Sequence, residues 1–211
     1  MKNHCVEEKL GKEIRNYPQP CYPFPDLINP LADELFQVSN QWIDTDSLYT
    51  SEEACEKHKR HRLTDTVARS FPWLCLDEMR PVARFAVFFA ILDDYLDKAT
   101  GKTISDVGAK VSAILTGQDV AIAGHGVYHH CLMIRKEALA CSMPRHLYIE
   151  FVDSSLQMLA SYGEEKQYNA GGSPPPLTIL QSIRSRSSGG VPFAKYLCMQ
   201  KNYRHLPIQF L

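Results

Sequence analysis

Residues 79–99, MRPVARFAVFFAILDDYLDKA, constrain this chain more than any other stretch. Arg84 is the one charge between Pro81 and Leu92, so a helix there is expected to be covered on most of its sides. Its far end carries three carboxylates, Asp93, Asp94 and Asp97. Phe85, Phe89, Asp93 and Asp97 are each four apart and share one helix face, whereas Asp94 lies about 100° round from Asp93. Acids are disfavoured at a helix C-terminus by the macrodipole, and acids this close repel unless a cation sits among them. Oxygen ligands suit a hard cation such as Mg²⁺, which takes one or two protein carboxylates and leaves the rest of its shell to substrate phosphates. Phe85 and Phe89 would then line an apolar cavity beside the metal, a combination that fits a phosphate-bearing hydrocarbon. A solvated helix end is the other reading, and spacing alone leaves both open.

The rest of the chain repeats the helical period. In PLADELFQVSNQWI, 30–43, Leu31, Leu35, Val38 and Trp42 form one stripe, with Pro30 at the first turn. A helix over 51–71 is expected to start at Ser51 as its cap, with acids in its first turn. Another is expected over 105–117, capped by Ser105 and ended by Gly117. A long one follows over 144–168, with Leu147, Phe151, Leu156 and Leu159 among its apolar positions. GGSPPPL interrupts the chain at 171–177, a short helix covers TILQSIRSR, and Gly189-Gly190 followed by Pro192 breaks it again. Alternation of period two is scarce and no hairpin signal joins two β-branched runs. The expected fold class is all-α, in a single domain over 28–211 preceded by a proline-rich arm over 1–27.

Composition excludes more than it proposes. Lys plus Arg number 23 against 24 Asp plus Glu, a net charge of -1, which points to no nucleic-acid partner. No apolar run reaches the eighteen or so residues a bilayer span needs, so no stable membrane insertion is expected. The seven cysteines form no CxxC pair and the N-terminus has no apolar signal core; a reduced cytoplasmic protein with buried free thiols is the plain reading. A homodimer stays open as an assembly state. His125, His129, His130 and Cys131, in a glycine-flanked segment read as a loop, lack the spacing of a known zinc module. The basic run KHKRHR, 57–62, reads as a solvated helix face paired with Glu52, Glu53 and Glu56.

DDYLD at the end of an aromatic-rich helix resembles the aspartate-rich DDxxD motif of class I terpene synthases of the microbial and fungal type. INPLADELFQVSNQWI resembles the opening helix of that family, with its Asn-Pro start and Trp. SLQMLASYGEEKQYNAGGSPPPLTILQSIRSRSSGGVPF resembles the stretch leading to its diphosphate-sensing arginine and the helix break behind it. The likeness covers most of residues 24–206.

The resemblance implies an α-helical bundle and a Mg²⁺-dependent lyase of isoprenoid biosynthesis. Such an enzyme ionises a prenyl diphosphate, most directly farnesyl diphosphate, to a cyclic sesquiterpene and diphosphate. Asp93, assisted by Asp94 and Asp97, would hold the metal. The family places its sensor arginine four residues before a glycine, which selects Arg186 from Gly190, with Gly189 as the linking position. Ile179, Ile183 and Arg186 also share a face, so Arg186 is expected on the apolar side and Arg184 off it. A planar guanidinium grips a diphosphate bidentately; a plain helix end with exposed arginines is the bland alternative. Phe85 and Phe89 would wall the cavity and stabilise a carbocation.

The family also carries a second metal motif, Asn/Asp-x-x-Ser/Thr-x-x-x-Glu, and no segment of the chain matches it. The nearest, Asp44 with Ser47, ends in Ser51 rather than Glu and precedes DDYLD. The resemblance would place that motif and the closing helices beyond Leu211, so an incomplete bundle, truncated at the C-terminus, is expected. A catalytically inactive, cyclase-derived protein that only binds ligand or partners is therefore the alternative. A chain-elongating prenyltransferase fits less well, because Asp93-Asp94 is the only Asp-Asp pair.

Overall fold

A computed structural model describes residues 26–47, 49, 51–97, 99–118, 125–170 and 175–199. Helices occupy Ala32–Thr45 (α1), Glu52–Arg60 (α2), Leu63–Ser70 (α3), Leu76–Leu96 (α4), Gly101–Thr116 (α5), Val127–Ala140 (α6), Arg145–Ala170 (α7), Leu177–Ser187 (α8) and Gly190–Tyr196 (α9). A 3₁₀ turn over Leu197–Met199 follows, and no strand occurs among the described residues. The all-α expectation holds. The proline arm lies almost wholly in residues 1–25, outside the described part.

The near-chargeless segment becomes the central helix, as its composition requires. α4 packs along α6 and against α1 and α3; α5 packs on α6 and α7; α7 is covered by α8 and α9. Every residue from Pro81 to Phe88 is buried. Aromatic rings bind α4 to α7 and α9: Phe85 meets Phe151 edge-on at 5.2 Å between centroids, and Phe151 meets Tyr196 at 5.6 Å. Such edge-to-face pairs contribute beyond their buried area.

Arg84 is the exception inside this helix, and it is 2% exposed. Its guanidinium bonds Asp46 at 2.7 Å and Glu137 twice at 3.1 Å, and lies 4.1 Å from the centre of the Trp42 ring. It ties the central helix to the end of α1 and to α6. Asn29, just before Pro30, does comparable work at the other end of α1. Its amide donates to the Phe71 and Leu74 carbonyls at 2.9 and 2.8 Å, while its side-chain oxygen accepts from the Leu31 N–H.

Several local expectations are corrected. The single helix over 51–71 is two, broken at Arg62, whose φ of 45° is left-handed; the Arg62 side chain is fastened to Asp65 and lies 4.2 Å from the Phe36 ring centre. Ser51 does cap α2, accepting from the Ala54 N–H. α4 begins three residues before Met79, because Glu78 accepts the Cys75 N–H in a capping box. α5 begins at Gly101 with Thr100 as its cap; Ser105 lies inside it, and Gly117 ends it at φ 84°. His129, His130 and Cys131 are not in a loop: Gly126 is the N-cap of α6. His130 is buried against Ser47 at 2.8 Å, and burial with Arg84 nearby pushes its pKa down to about 3. The thiols divide, with Cys131 and Cys198 buried but Cys75 exposed.

Candidate active site

The aspartates sit where α4 ends. Asp93 is in the last turn, Asp97 is the C-cap, and the Asp97 N–H bonds the Asp93 carbonyl at 3.0 Å. The macrodipole opposes acids there, and α7 supplies the compensation. Lys166 donates to the Asp97 carbonyl, and the Tyr162 phenol stands beside Asp93. Burial, and then the negative charge of Asp93, raise the Tyr162 pKa well above its ordinary value, so the phenol stays protonated. Tyr162 and Lys166 are four apart on α7, matching the spacing of Asp93 and Asp97 on α4. No acidic-motif reading singles them out; the signal is their shared helix face.

The structure divides the three acids. Asp94 turns away from Asp93 towards α2, where Lys57 Nζ and His58 Nε2 each lie 3.1 Å from it. Partial burial pushes the Asp94 carboxyl up, but Lys57 and His58 outweigh it and hold it below its ordinary value. His58 is itself buried, and desolvation lowers its pKa more than Asp94 raises it. A carboxylate only accepts, so Nε2 of neutral His58 carries the proton and Nδ1 accepts from Tyr49 Oη at 2.8 Å. The basic run is thus not simply a solvated face: Lys57 and His58 bind α4, and Lys59 reaches Asp44 at 2.7 Å.

Phe89 lies one turn below Asp93. It stacks on Phe85 at 6.3 Å between centroids and leans towards Tyr162 at 6.1 Å. Phe85 is one layer deeper, 1% exposed among Phe88, Phe151 and Phe193. Across from Phe89 runs the α8–α9 break. Gly189 has φ 75°, a conformation that favours glycine, and a Cβ there would stand 3.8 Å from both the Phe89 ring and Met158 Sδ. Gly190 is the first residue of α9.

Arg186 reaches back from the end of α8 to α7. Both its terminal nitrogens bond Glu164, each at 2.7 Å, in the parallel fork that suits a guanidinium and a carboxylate. That contact lowers the Glu164 pKa. Arg184 pairs with the next residue, Glu165, at 2.9 Å and is the more exposed of the two. Ile183 is buried as the helix-face argument required, while Ile179 is exposed. Asp93, Tyr162, Phe89 and Gly189 therefore line one surface across α4, α7 and the α8–α9 break, whereas Glu164, which holds Arg186, is two residues and so about 200° round α7 from Tyr162.

This architecture recurs in solved structures. It superimposes on a protein from ancestral sequence reconstruction with a TM-score of 0.80 at 18% identity, covering 92% of this chain and 60% of that one. On hedycaryol synthase in complex with nerolidol the TM-score is 0.69 at 19% identity, over 87% of this chain and 60% of that one. On aristolochene synthase from Penicillium roqueforti it is 0.73 at 11% identity, over 91% and 64%. The chain has the class I terpene synthase fold.

Sequence relatives of this terpene synthase-like chain agree. Pristinol synthase of Streptomyces pristinaespiralis is 29% identical over 93 residues, 44% of this chain and 25% of its own length. Sesquiterpene synthase 9 of Postia placenta is 30% identical over 87 residues, 41% and 25%. No family model matches the chain. The chain spans about 60% of the solved structures, and its matched part a quarter of these two curated relatives.

Whether the site suits a metal is a question of donors. Among the described residues no group of three His, Cys, Asp or Glu side chains converges on a point. Asp93 and Asp97 remain at the end of α4 with hard oxygen donors, and one or two such carboxylates per ion suffice where a phosphate completes the shell. The donor chemistry fits Mg²⁺ and the Asp93–Asp97 pair, with Asp94 engaged by α2. The histidines near α6 are otherwise occupied, His125 on the Thr45 carbonyl at 2.7 Å and His130 on Ser47.

Proposed function

We propose that this chain carries the diphosphate-ionising surface of a Mg²⁺-dependent terpene cyclase, with farnesyl diphosphate as substrate and a cyclic sesquiterpene and diphosphate as products. The observation that supports this reading is that Asp93, Tyr162, Phe89 and Gly189 line one surface of the class I terpene synthase fold, with Arg186 three residues before Gly189. A relative that is 22% identical over 134 residues, from Streptosporangium roseum, is a 4-epi-cubebol synthase that cyclises (2E,6E)-farnesyl diphosphate.

Mg²⁺ held by Asp93 and Asp97 would supply positive charge to the leaving diphosphate. Tyr162, kept protonated beside Asp93, would donate to that carboxylate and orient it. Asp94, gripped by Lys57 and His58, assists by fastening the end of α4 to α2. Arg186, exchanging Glu164 for a pair of diphosphate oxygens, would take up charge as the carbon–oxygen bond breaks. The ring faces of Phe89 and Tyr162 would stabilise the cation that forms, with Phe85 supporting Phe89 from beneath. Water exclusion would select an olefin over an alcohol.

The test is incubation with Mg²⁺ and farnesyl diphosphate, followed by analysis of volatiles, on this chain and on any longer form of the protein. Cyclic sesquiterpenes that disappear in Asp93→Asn are expected; longer linear diphosphates would instead indicate a chain-elongating prenyltransferase. A second reading is an inactive, cyclase-derived binder. It predicts Mg²⁺-dependent diphosphate binding without turnover in either form.

A further inference from the structure

A cavity of about 420 Å³ opens at the other end of α7, lined by residues of α5, α6 and α7. It is separate from the surface described above. Asp153 at its edge lies nine residues before Tyr162, about 14 Å along the helix at 1.5 Å per residue. Its volume is within the range of small-molecule sites. At about 30 Å³ for each water-sized group it has room for roughly fourteen non-hydrogen atoms.

Its lining has two parts. Leu115, Met143, Tyr148 and Val152 are buried apolar walls, and Leu139 and Ile149 are exposed apolar lips, 55% and 46% accessible. The Tyr148 hydroxyl is already used, donating to the Leu115 carbonyl at 2.7 Å. The charged groups are Arg135, Arg145 and Asp153. Neither arginine has an ion-pair or hydrogen-bond partner among the described residues. Arg135 is held in place from behind: a methyl group on Gly117 would collide with its guanidinium, and Gly117 has a left-handed φ of 84°.

Two guanidinium groups that no described residue pairs, beside an apolar trough, suit an anionic head on a hydrocarbon body. Asp153 limits the charge of that head. Among the described lining residues two arginines against one aspartate leave a single net positive charge, which suits a carboxylate and disfavours a multiply charged diphosphate. We infer that this cavity is a second, non-catalytic binding site for a small amphipathic monocarboxylate of about ten carbons.

The full chain, carrying ¹³C-methyl methionine, is titrated with sodium decanoate, with decanol, and with inorganic diphosphate plus Mg²⁺. The expected result is saturable decanoate binding that shifts the Met143 methyl resonance, with decanol at least roughly tenfold weaker. Arg135→Gln combined with Arg145→Gln should weaken decanoate at least roughly tenfold and leave decanol unchanged. Diphosphate should not displace decanoate. Should the double variant unfold, Asp153→Asn reads the same charge argument in reverse, and decanoate should tighten. The inference is overturned by no saturable binding, by equal affinity for decanol, by charge variants that leave decanoate affinity unchanged, or by displacement with diphosphate.

Discussion

Replacing Arg84 with Met tests the central packing argument most directly. The substitution keeps an apolar stem of similar length and removes the guanidinium that joins Asp46, Glu137 and Trp42. The two carboxylates stay behind with side chains 18% and 11% exposed. Removing one partner of a buried ion pair costs about 3–5 kcal/mol, because the remaining charge is left uncompensated. Arg80, 3.6 Å from Glu137, retains part of the compensation, which favours the lower end of that range. For a chain of this size each kcal/mol shifts Tm by about 2–4 °C, so a fall of about 6–12 °C is expected at pH 7.

The pH dependence supplies an independent check. Burial pushes the Asp46 carboxyl up, but the Arg84 hydrogen bond and charge outweigh it, so the folded pKa lies below the unfolded one. That contribution is present above the unfolded pKa and is lost as pH falls through the folded pKa. In Arg84→Met burial is opposed only by the Thr45 hydroxyl and the His129 ring, so protonating Asp46 costs the variant less than the parent and its deficit should shrink below about pH 4. Thermal unfolding followed by circular dichroism between pH 7 and 3.5 reads both quantities. A Tm within about 2 °C of the parent at pH 7, or a deficit that does not change with pH, would refute the reasoning. The same ion cluster positions the candidate site, because Asp93 follows nine residues along the helix Arg84 anchors.

Gly189→Ala should cost about 1 kcal/mol through left-handed strain alone, because its nearest neighbours stand at 3.8 Å. Gly189→Leu should cost more by reaching Phe89 and Met158; equal Tm losses for the two would contradict this. Glu164→Gln should release Arg186 and tighten binding of Mg²⁺ and inorganic diphosphate several-fold by calorimetry; unchanged affinity would count against Arg186 as the diphosphate contact. Among the described cysteines, maleimide should label exposed Cys75 first. Fully buried Cys131, whose thiol burial raises far above its ordinary value, should react only on unfolding, as peptide mapping would read.

The chain's own pattern announced the central helix, the long α7 and the glycine break, because each depends on local periodicity or backbone freedom. It was misleading at 51–71 and at 125–131. Apolar periodicity carries no trace of the reversal at Arg62, and the glycines flanking His125 look like a loop although Gly126 is an N-cap. Thr100 and Ser105 are equally good caps by residue type; packing of Ile104 and Val107 into the core extends α5 back to Thr100.

At the candidate site the division is sharper. Sequence alone determined that carboxylates cluster at the end of an apolar helix and that an arginine precedes a glycine break, since both are spacings along one chain. Only tertiary structure decided the partners. Asp94 points to Lys57 and His58, Tyr162 and Lys166 complete the end of α4, and Arg186 rests on Glu164. Each of these contacts except the last joins residues at least 36 positions apart. Helical spacing sets which face a residue occupies, whereas the packing of whole helices sets which charge it meets there.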